Sequence, residues 1–255
     1  MSKQATTPTL SALVVAHNEE AQLADCLETL AFADEIVVVL DKCTDRSKEI
    51  AARYTDKLVE GSWEIEGPRR NEGIAACTGD WILEVDADER VPEALAQEIR
   101  AKIATAEPGA YNIPFDNYIG TRLVRYGWGA AWGVSSTARL FARGCKRWGD
   151  QRIHPAVELK GARGRLETPM THYVDAGVGD MIRRLDRYTA ARAKDLRDAG
   201  MPESFGRNVR RIVTRFFKCY VRRKGYKEGH LGFLIALFAA IYPILSWLRA
   251  KLDED

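Results

Sequence analysis

The chain has 255 residues, long enough for one large domain, or a domain with an appendage, around a substantial core. Its formal net charge is only +2, yet residues 204–230 hold nine Lys or Arg against a single Glu, which leaves the rest of the chain acidic and points this segment toward a polyanion or an anionic membrane. Five cysteines without any C-x-x-C spacing argue against a disulfide framework or structural zinc and fit a reduced compartment; no secretory signal precedes the first strand, so the catalytic part is expected in the cytoplasm.

In chain order, Leu10 to Ala16 reads as a buried strand that ends at His17-Asn18-Glu19-Glu20, before a helical pattern of Leu23, Cys26, Leu27 and Leu30. Glu35 to Leu40 gives a second strand, closed by Asp41-Lys42-Cys43-Thr44-Asp45. A helix over about Ser47 to Tyr54, a short strand near Lys57 to Val59 and a helix near Pro68 to Cys77 follow. Then comes a central strand, Trp81-Ile82-Leu83-Glu84-Val85, which runs into Asp86-Ala87-Asp88-Glu89. This alternation predicts an α/β fold with a mostly parallel sheet and helices on both faces, and its ligands belong in the crevice at the carboxyl ends of the strands.

Two Asp residues at i and i+2 can face one ion, and hard oxygen ligands of that kind suit magnesium or manganese held with substrate phosphates. Neither G-x-G-x-x-G after the first strand nor G-x-x-x-x-G-K-[ST] anywhere is present, which argues against a dinucleotide oxidoreductase and a P-loop enzyme. A divalent metal on the acidic cluster, assisted by a basic residue such as Arg70, would neutralise a diphosphate without a glycine cradle.

Leu13 to Glu20, Val38 to Asp45, and Arg70-Asn71-Glu72-Gly73-Ile74 followed by Gly79 to Glu89 resemble the three successive signatures of family 2 glycosyltransferases. More narrowly, Gly67-Pro68-Arg69-Arg70-Asn71 with the Asp-Ala-Asp-Glu ending resembles the bacterial lipopolysaccharide core β-glucosyltransferase type. The resemblance covers the first 100 residues or so. It implies a GT-A fold, a nucleotide-diphosphate sugar donor (a UDP-sugar), a divalent metal (Mg or Mn) and inversion at the anomeric carbon. By position it assigns Ala16, Asn18 and Glu19 to the nucleoside, Asp41 to the base, Arg70 to the base or diphosphate, Asp86 to the ribose side and Asp88 to the metal. Taken singly, Asn18 and Glu19 could instead cap a helix, Asp41 could be a turn residue and Arg70 a solvated helix charge.

From Ala110 to Thr171 the aromatics Tyr111, Phe115, Tyr118, Tyr126, Trp128, Trp132, Phe141 and Trp148 could stack on an acceptor sugar or fill the core. An inverting transferase needs a general base at the acceptor hydroxyl. The family's His-Glu pair lies hereabouts, but His154 is followed here by Pro155, so the candidates are Asp150, His154 and Glu158. The expected division is a catalytic domain over 1–175, donor half to about 105 and acceptor half beyond it, and a helical C-terminal region over 176–255.

Gly177 to Ala199 reads as a helix. Ser204 to Lys224 places Val209, Ile212, Val213, Phe216, Phe217 and Tyr220 on one apolar face opposite Arg and Lys, and the Phe216, Phe217 and Tyr220 stripe is expected to dip into a membrane interface. Leu231 to Leu248 is uncharged, contains Pro243 and has basic residues on both flanks, which favours a shallow, re-entrant or docked helix over a span. The partners expected are thus the sugar donor, a lipid-linked saccharide acceptor and an anionic membrane surface rather than nucleic acid, with the enzyme attached peripherally to the cytoplasmic membrane face. A nucleotidyltransferase and a basic nucleic-acid-binding protein are the alternatives.

Overall fold

The computed structural model describes residues 7–129, 135–150, 156–201 and 203–253. In chain order the elements are β1 (Leu10–Ala16), α1 (Leu23–Glu28), β2 (Glu35–Asp41), α2 (Ser47–Ala51), β3 (Leu58–Gly61), α3 (Glu66–Ala76), β4 (Trp81–Asp86), β5 (Glu89–Arg90) and α4 (Glu93–Thr105). They continue as β6 (Gly109–Ile119), β7 (Arg122–Val124), β8 (Ser136–Ala142), β9 (Lys146–Trp148), β10 (Val157–Leu159), β11 (Ala162–Arg165), β12 (Met170–Asp175), α5 (Val178–Asp198), α6 (Phe205–Phe217) and α7 (Gly229–Leu252).

The sheet order is β3-β2-β1-β4-β8-β6-β12-β5. Strands β1 to β4 pair in parallel, as expected, with β1 between β2 and β4. A parallel strand flanked on both edges and covered on both faces has to be apolar along its length. Accordingly, every residue of β1 is buried, and its one polar side chain, Ser11, accepts a hydrogen bond from Gly79 N–H and donates to Glu35. Beyond β4 the sheet turns antiparallel through β8 and β6, with Ile82 opposite Phe141 and Tyr111 opposite Leu140.

Helices cover both faces. Leu23 and Leu27 of α1, Ala51 of α2 and the i, i+4, i+8 row Leu95, Ile99 and Ile103 of α4 pack against Trp81, Leu83 and Val85 on one side. On the other, α3 lies close against Leu13, Val39 and Ile82. It lies so close that a Cβ on Gly73 would come within 2.5 Å of Leu13 and 2.7 Å of Val39, so only glycine fits there.

The chain divides into two compact units, residues 1–115 with 136–172, and residues 116–135 with 173–255. In the second unit α7 is the central helix. Its Ile235 and Phe238 pack with Met181 and Leu185 of α5, and its Ala236 and Ala239 with Cys219 just past α6. Helix α6 starts at the N-cap Ser204, whose hydroxyl accepts from Arg207 N–H at 3.3 Å, and ends in a π-helical turn over Lys218–Arg222. The stretch Gly225–Leu252 is long and apolar enough to cross a membrane, yet half of its most apolar window is buried within the protein.

The apolar face expected on α6 is in fact divided. Ile212, Phe216 and Tyr220 are half-buried, Phe216 and Tyr220 packing with Cys219 and with Phe233 of α7, whereas Val209, Val213 and Phe217 point outward. Phe216 and Tyr220 are thus partly engaged with α7, while Phe217 of the same stripe stays outward. A helix whose apolar side chains span more than one stripe can seat one against a neighbour and leave the next exposed.

Candidate active site

The carboxyl ends of β1, β2 and β4 lie side by side because β1 pairs with both β2 and β4. Ala16, the last residue of β1, is buried. Asn18 takes a left-handed conformation (φ 57°), which Asn tolerates better than most residues, and its Oδ1 accepts from Thr44 N–H at 2.7 Å and Asp45 N–H at 3.3 Å. The side chain thus caps the loop after β2, not a helix. Glu19 is tied to the same loop region through its N–H, which donates to Ser47 Oγ at 2.9 Å. Asp41, at the end of β2, is buried, and its two oxygens accept from Trp63 N–H (3.0 Å) and Arg69 Nη1 (2.9 Å).

Alternation along β4 sends Trp81, Leu83 and Val85 into one core, and Ile82, Glu84 and Asp86 to the opposite face. Glu84 is completely buried in mid-strand, where an isolated carboxylate would be prohibitive. It is neutralised by Lys146 of β9 and by Arg70 of α3, at 2.8 Å from Arg70. Burial opposes ionisation of Glu84, but Lys146, Arg70 and Arg139 outweigh it and bring its carboxyl down to about 2.

Arg70 is not a solvated helix charge. It is buried, and its nitrogens meet Glu66 (2.8 Å), Glu84 (2.8 Å) and Asp86 (2.9 Å), with its guanidinium 5.0 Å from the centroid of the Trp148 ring. Asp86 is held from both sides: Oδ1 by Arg70, and Oδ2 by Arg139 of β8 at 2.5 Å. Burial works against its charge, yet Arg139 and Arg70 prevail and hold it far below the usual carboxylate range. Arg139 also reaches Glu89 at 2.5 Å.

Past β4, Asp88 turns toward His172 of β12, with Oδ2 and Nε2 3.4 Å apart. The register of β5 against β12 sets this up, because His172 lies opposite Glu89. Burial disfavours an imidazolium at His172, but its hydrogen bond to Asp88 and the charges of Asp88, Glu89 and Asp86 raise its pKa above the ordinary value. Glu89 is buried and pushed up to about 7, first by that burial and then by Asp86 and Asp88 against the pull of Arg139.

Asp88, Glu89 and His172 each offer a ligand atom within 4.8 Å of the others. Two carboxylates and an imidazole are a donor set that fits Mn2+ better than Mg2+, which prefers the carboxylates alone. Glu89 is the least available of the three, since Oε1 pairs with Arg139 and Oε2 accepts from Asp86 N–H at 2.9 Å. Asp88 and His172, both partly open to solvent, are the ligands best able to turn to an ion.

Two of the three candidate bases fall among the described residues. Asp150 is exposed in the loop after β9, and Glu158 is exposed on β10 opposite Arg147. His154 lies outside the described residues, as does Trp132. Of the other aromatics Tyr111, Phe115, Trp128 and Phe141 are buried core residues, whereas Tyr118 and Trp148 are partly open and Tyr126 is exposed.

The Glycosyl transferase family 2 model matches residues 11–127, which hold β1 to β4 and every donor-side residue named above. Over those residues the chain is similar to family 2 glycosyltransferases. Along nearly its full length it is similar to the lipopolysaccharide core biosynthesis glycosyltransferase LpsC of Rhizobium meliloti, 24% identical over 93% of this chain and 90% of that protein. It is also similar to an uncharacterised glycosyltransferase of Rickettsia felis, 26% identical over 96% of this chain and 90% of the relative. Among solved structures, S. aureus TarS superposes with a TM-score of 0.47 at 16% identity, over 95% of this chain and 87% of that one.

Four residues of the candidate site escape a reading of the sequence: Glu84, Arg139, Lys146 and His172. Glu84 carries a signal, since a charge inside an otherwise apolar buried strand demands countercharges. The other three come from β8, β9 and β12, and only strand pairing reveals them.

Proposed function

We propose that the protein is an inverting, metal-dependent hexosyltransferase that moves a hexose, such as glucose, from a nucleotide-diphosphate sugar to a lipid-linked envelope saccharide. The observation that carries this reading is the pairing of Asp88 with His172 beside the arginine-clamped Asp86 at the end of β4. In this reading Ala16, Asn18 and Glu19 contact the nucleoside, Asp41 the uracil of a UDP-sugar, and Asp86 the ribose. Arg70 fixes Asp86 for that contact and lends positive charge to the diphosphate side. Asp88 and His172 hold the ion, which supplies charge neutralisation to the leaving diphosphate. One of Asp150, His154 and Glu158 removes the proton of the attacking acceptor hydroxyl. The name of the Rhizobium meliloti relative supports a lipopolysaccharide-core acceptor. That acceptor class, with the basic segment over 204–230, supports work at the cytoplasmic face of a membrane and no nucleic-acid partner.

Thermal-shift titration with nucleotide sugars, each with and without Mn2+ or Mg2+, tests the donor and the ion together. A true donor at a hundred times its dissociation constant stabilises the fold by about 2.7 kcal/mol. Product analysis then decides the class: release of nucleoside diphosphate from a nucleotide sugar and an acceptor supports transfer, whereas release of pyrophosphate from a nucleoside triphosphate and a sugar phosphate refutes it in favour of nucleotidyl transfer.

A further inference from the structure

Helix α6 has an apolar stripe that the described residues of its own unit leave largely open. Val209, Val213, Phe217 and, in the π-helical turn, Val221 recur every four residues, about one turn apart, and Val213 and Phe217 are 71% and 53% exposed. The opposite side is already used, with Asn208 fully buried and Phe216, Cys219 and Tyr220 packed on α7. From 205 to 224 the segment holds eight Arg or Lys and no Asp or Glu. Of these Arg207, Arg210, Lys218, Arg222 and Lys224 are exposed, whereas Arg211 is half-buried and pairs with Glu203 at 2.6 Å.

We propose that this outward face of α6, led by Val213 and Phe217 and flanked by Arg210, Lys218 and Arg222, docks the protein on an anionic lipid bilayer, with α7 staying folded beneath it. The proposal rests on the membrane-surface reading above and specifies its contact. An uncovered apolar stripe within an all-basic segment matches an interface that offers acyl chains and acidic headgroups together. A nucleic acid backbone would engage the cations and leave the valines without a role. A second copy of the same face would bring Arg210, Lys218 and Arg222 against like charges. Helix α7 does not supply the anchor, because crossing a bilayer would require it to give up its packing with Met181, Leu185 and Cys219.

The test is flotation of the full-length protein with phosphatidylcholine vesicles, with and without phosphatidylglycerol, alongside donor turnover in solution. Wild-type protein is expected to float only with phosphatidylglycerol vesicles and to be released by salt. Val213→Asp/Phe217→Asp should bind them at least about tenfold more weakly. Because both side chains are exposed, its thermal midpoint and donor turnover should match wild type. Lys218→Gln/Arg222→Gln, which leaves the stripe intact, should weaken binding and flatten its salt dependence. The proposal is overturned if wild-type protein ignores the vesicles, floats equally without phosphatidylglycerol, prefers duplex DNA, or if the aspartate variant floats like wild type. Intact turnover without flotation rejects the docking face alone; flotation without turnover rejects the transferase reading and supports the docking face.

Discussion

Asn71 grips Trp148 by both edges of its backbone: Nδ2 donates to the Trp148 carbonyl at 2.8 Å, and Oδ1 accepts from the Trp148 N–H at 3.0 Å. The side-chain amide of α3 thereby stands in for a neighbouring strand and holds the β9–β10 hairpin, while the Trp148 ring receives the cations of Arg70 and Lys146. The contact is tight along its length, since a Cβ on Gly67 of α3 would sit 1.9 Å from the Gly149 carbonyl oxygen. A helix that carries donor-side charges and the hairpin that carries Asp150 and Glu158 are thus fixed to each other.

Asn71→Ala should remove both bonds, leaving the Trp148 N–H and C=O of a half-buried strand end unpaired at a cost of about 1–3 kcal/mol. Turnover is expected to fall more than donor affinity if, as proposed, the hairpin carries the base that serves the acceptor. Asn71→Asp, which retains only the acceptor, should fall between the two. Thermal midpoints with separate kcat and KM values would measure this, and an unchanged kcat in Asn71→Ala would dismiss the clamp as a positioning device.

Removing the ion ligands gives a sharper effect. Asp88→Ala and His172→Ala should each lower metal-dependent transfer by several orders of magnitude while leaving the fold intact, since Asp88 lies in the turn after β4 and both side chains are partly exposed. Excess chelator should do the same to wild type. Full transfer in chelator, or Mn2+-dependent donor stabilisation surviving in both variants, would contradict the assignment.

Glu84→Gln tests the buried network. Its loss leaves Lys146 and Arg70 short of a counterion in the interior, at a cost of about 3–5 kcal/mol at pH 7. The sign of the pH dependence follows from a carboxyl depressed to about 2 in the fold, against about 4.5 in the open chain. Its contribution is present above pH 4.5 and fades as the pH falls toward 2, so the wild-type and variant denaturation midpoints should converge over that window. Equal stability at pH 7 would show that the network is not held by Glu84.

For the base, Asp150→Asn, His154→Ala and Glu158→Gln are expected to include one variant that loses turnover with donor affinity nearly unchanged. Normal turnover in all three would move the base elsewhere in the chain.

Much of the donor half is legible in the order of residues alone. Strands β1, β2 and β4 announce themselves as apolar runs that stop at Asn18, Asp41 and Asp86, because parallel strands buried on both faces leave no room for alternation. Boundaries are looser: the helix from Ser47 ends at Ala51 rather than Tyr54, because the N–H groups of Arg53 and Tyr54 bond three residues back, to Ile50 and Ala51, instead of four. What stays hidden is what antiparallel pairing brings in from afar. Arg139 reads as one charge in a strand, and only the β4–β8 ladder carries it to Asp86. The twofold use of α6 is hidden for a related reason, since periodicity marks apolar faces but not which of them a neighbour covers.

The pairing of β5 with β12 gives the site a timetable. Strands β1 to β4 are complete once residue 86 has been synthesised, so a nascent chain can assemble Asn18, Asp41, Glu84 and Asp86 with Arg70 as the first countercharge of Glu84 and Asp86. Arg139 and Lys146 arrive later on β8 and β9, and His172 later still on β12. Vectorial synthesis therefore yields a nucleotide-side half before its imidazole ligand exists. A ribosome stalled short of β8 would expose a partly neutralised acidic cluster, the form of this chain most in need of a chaperone.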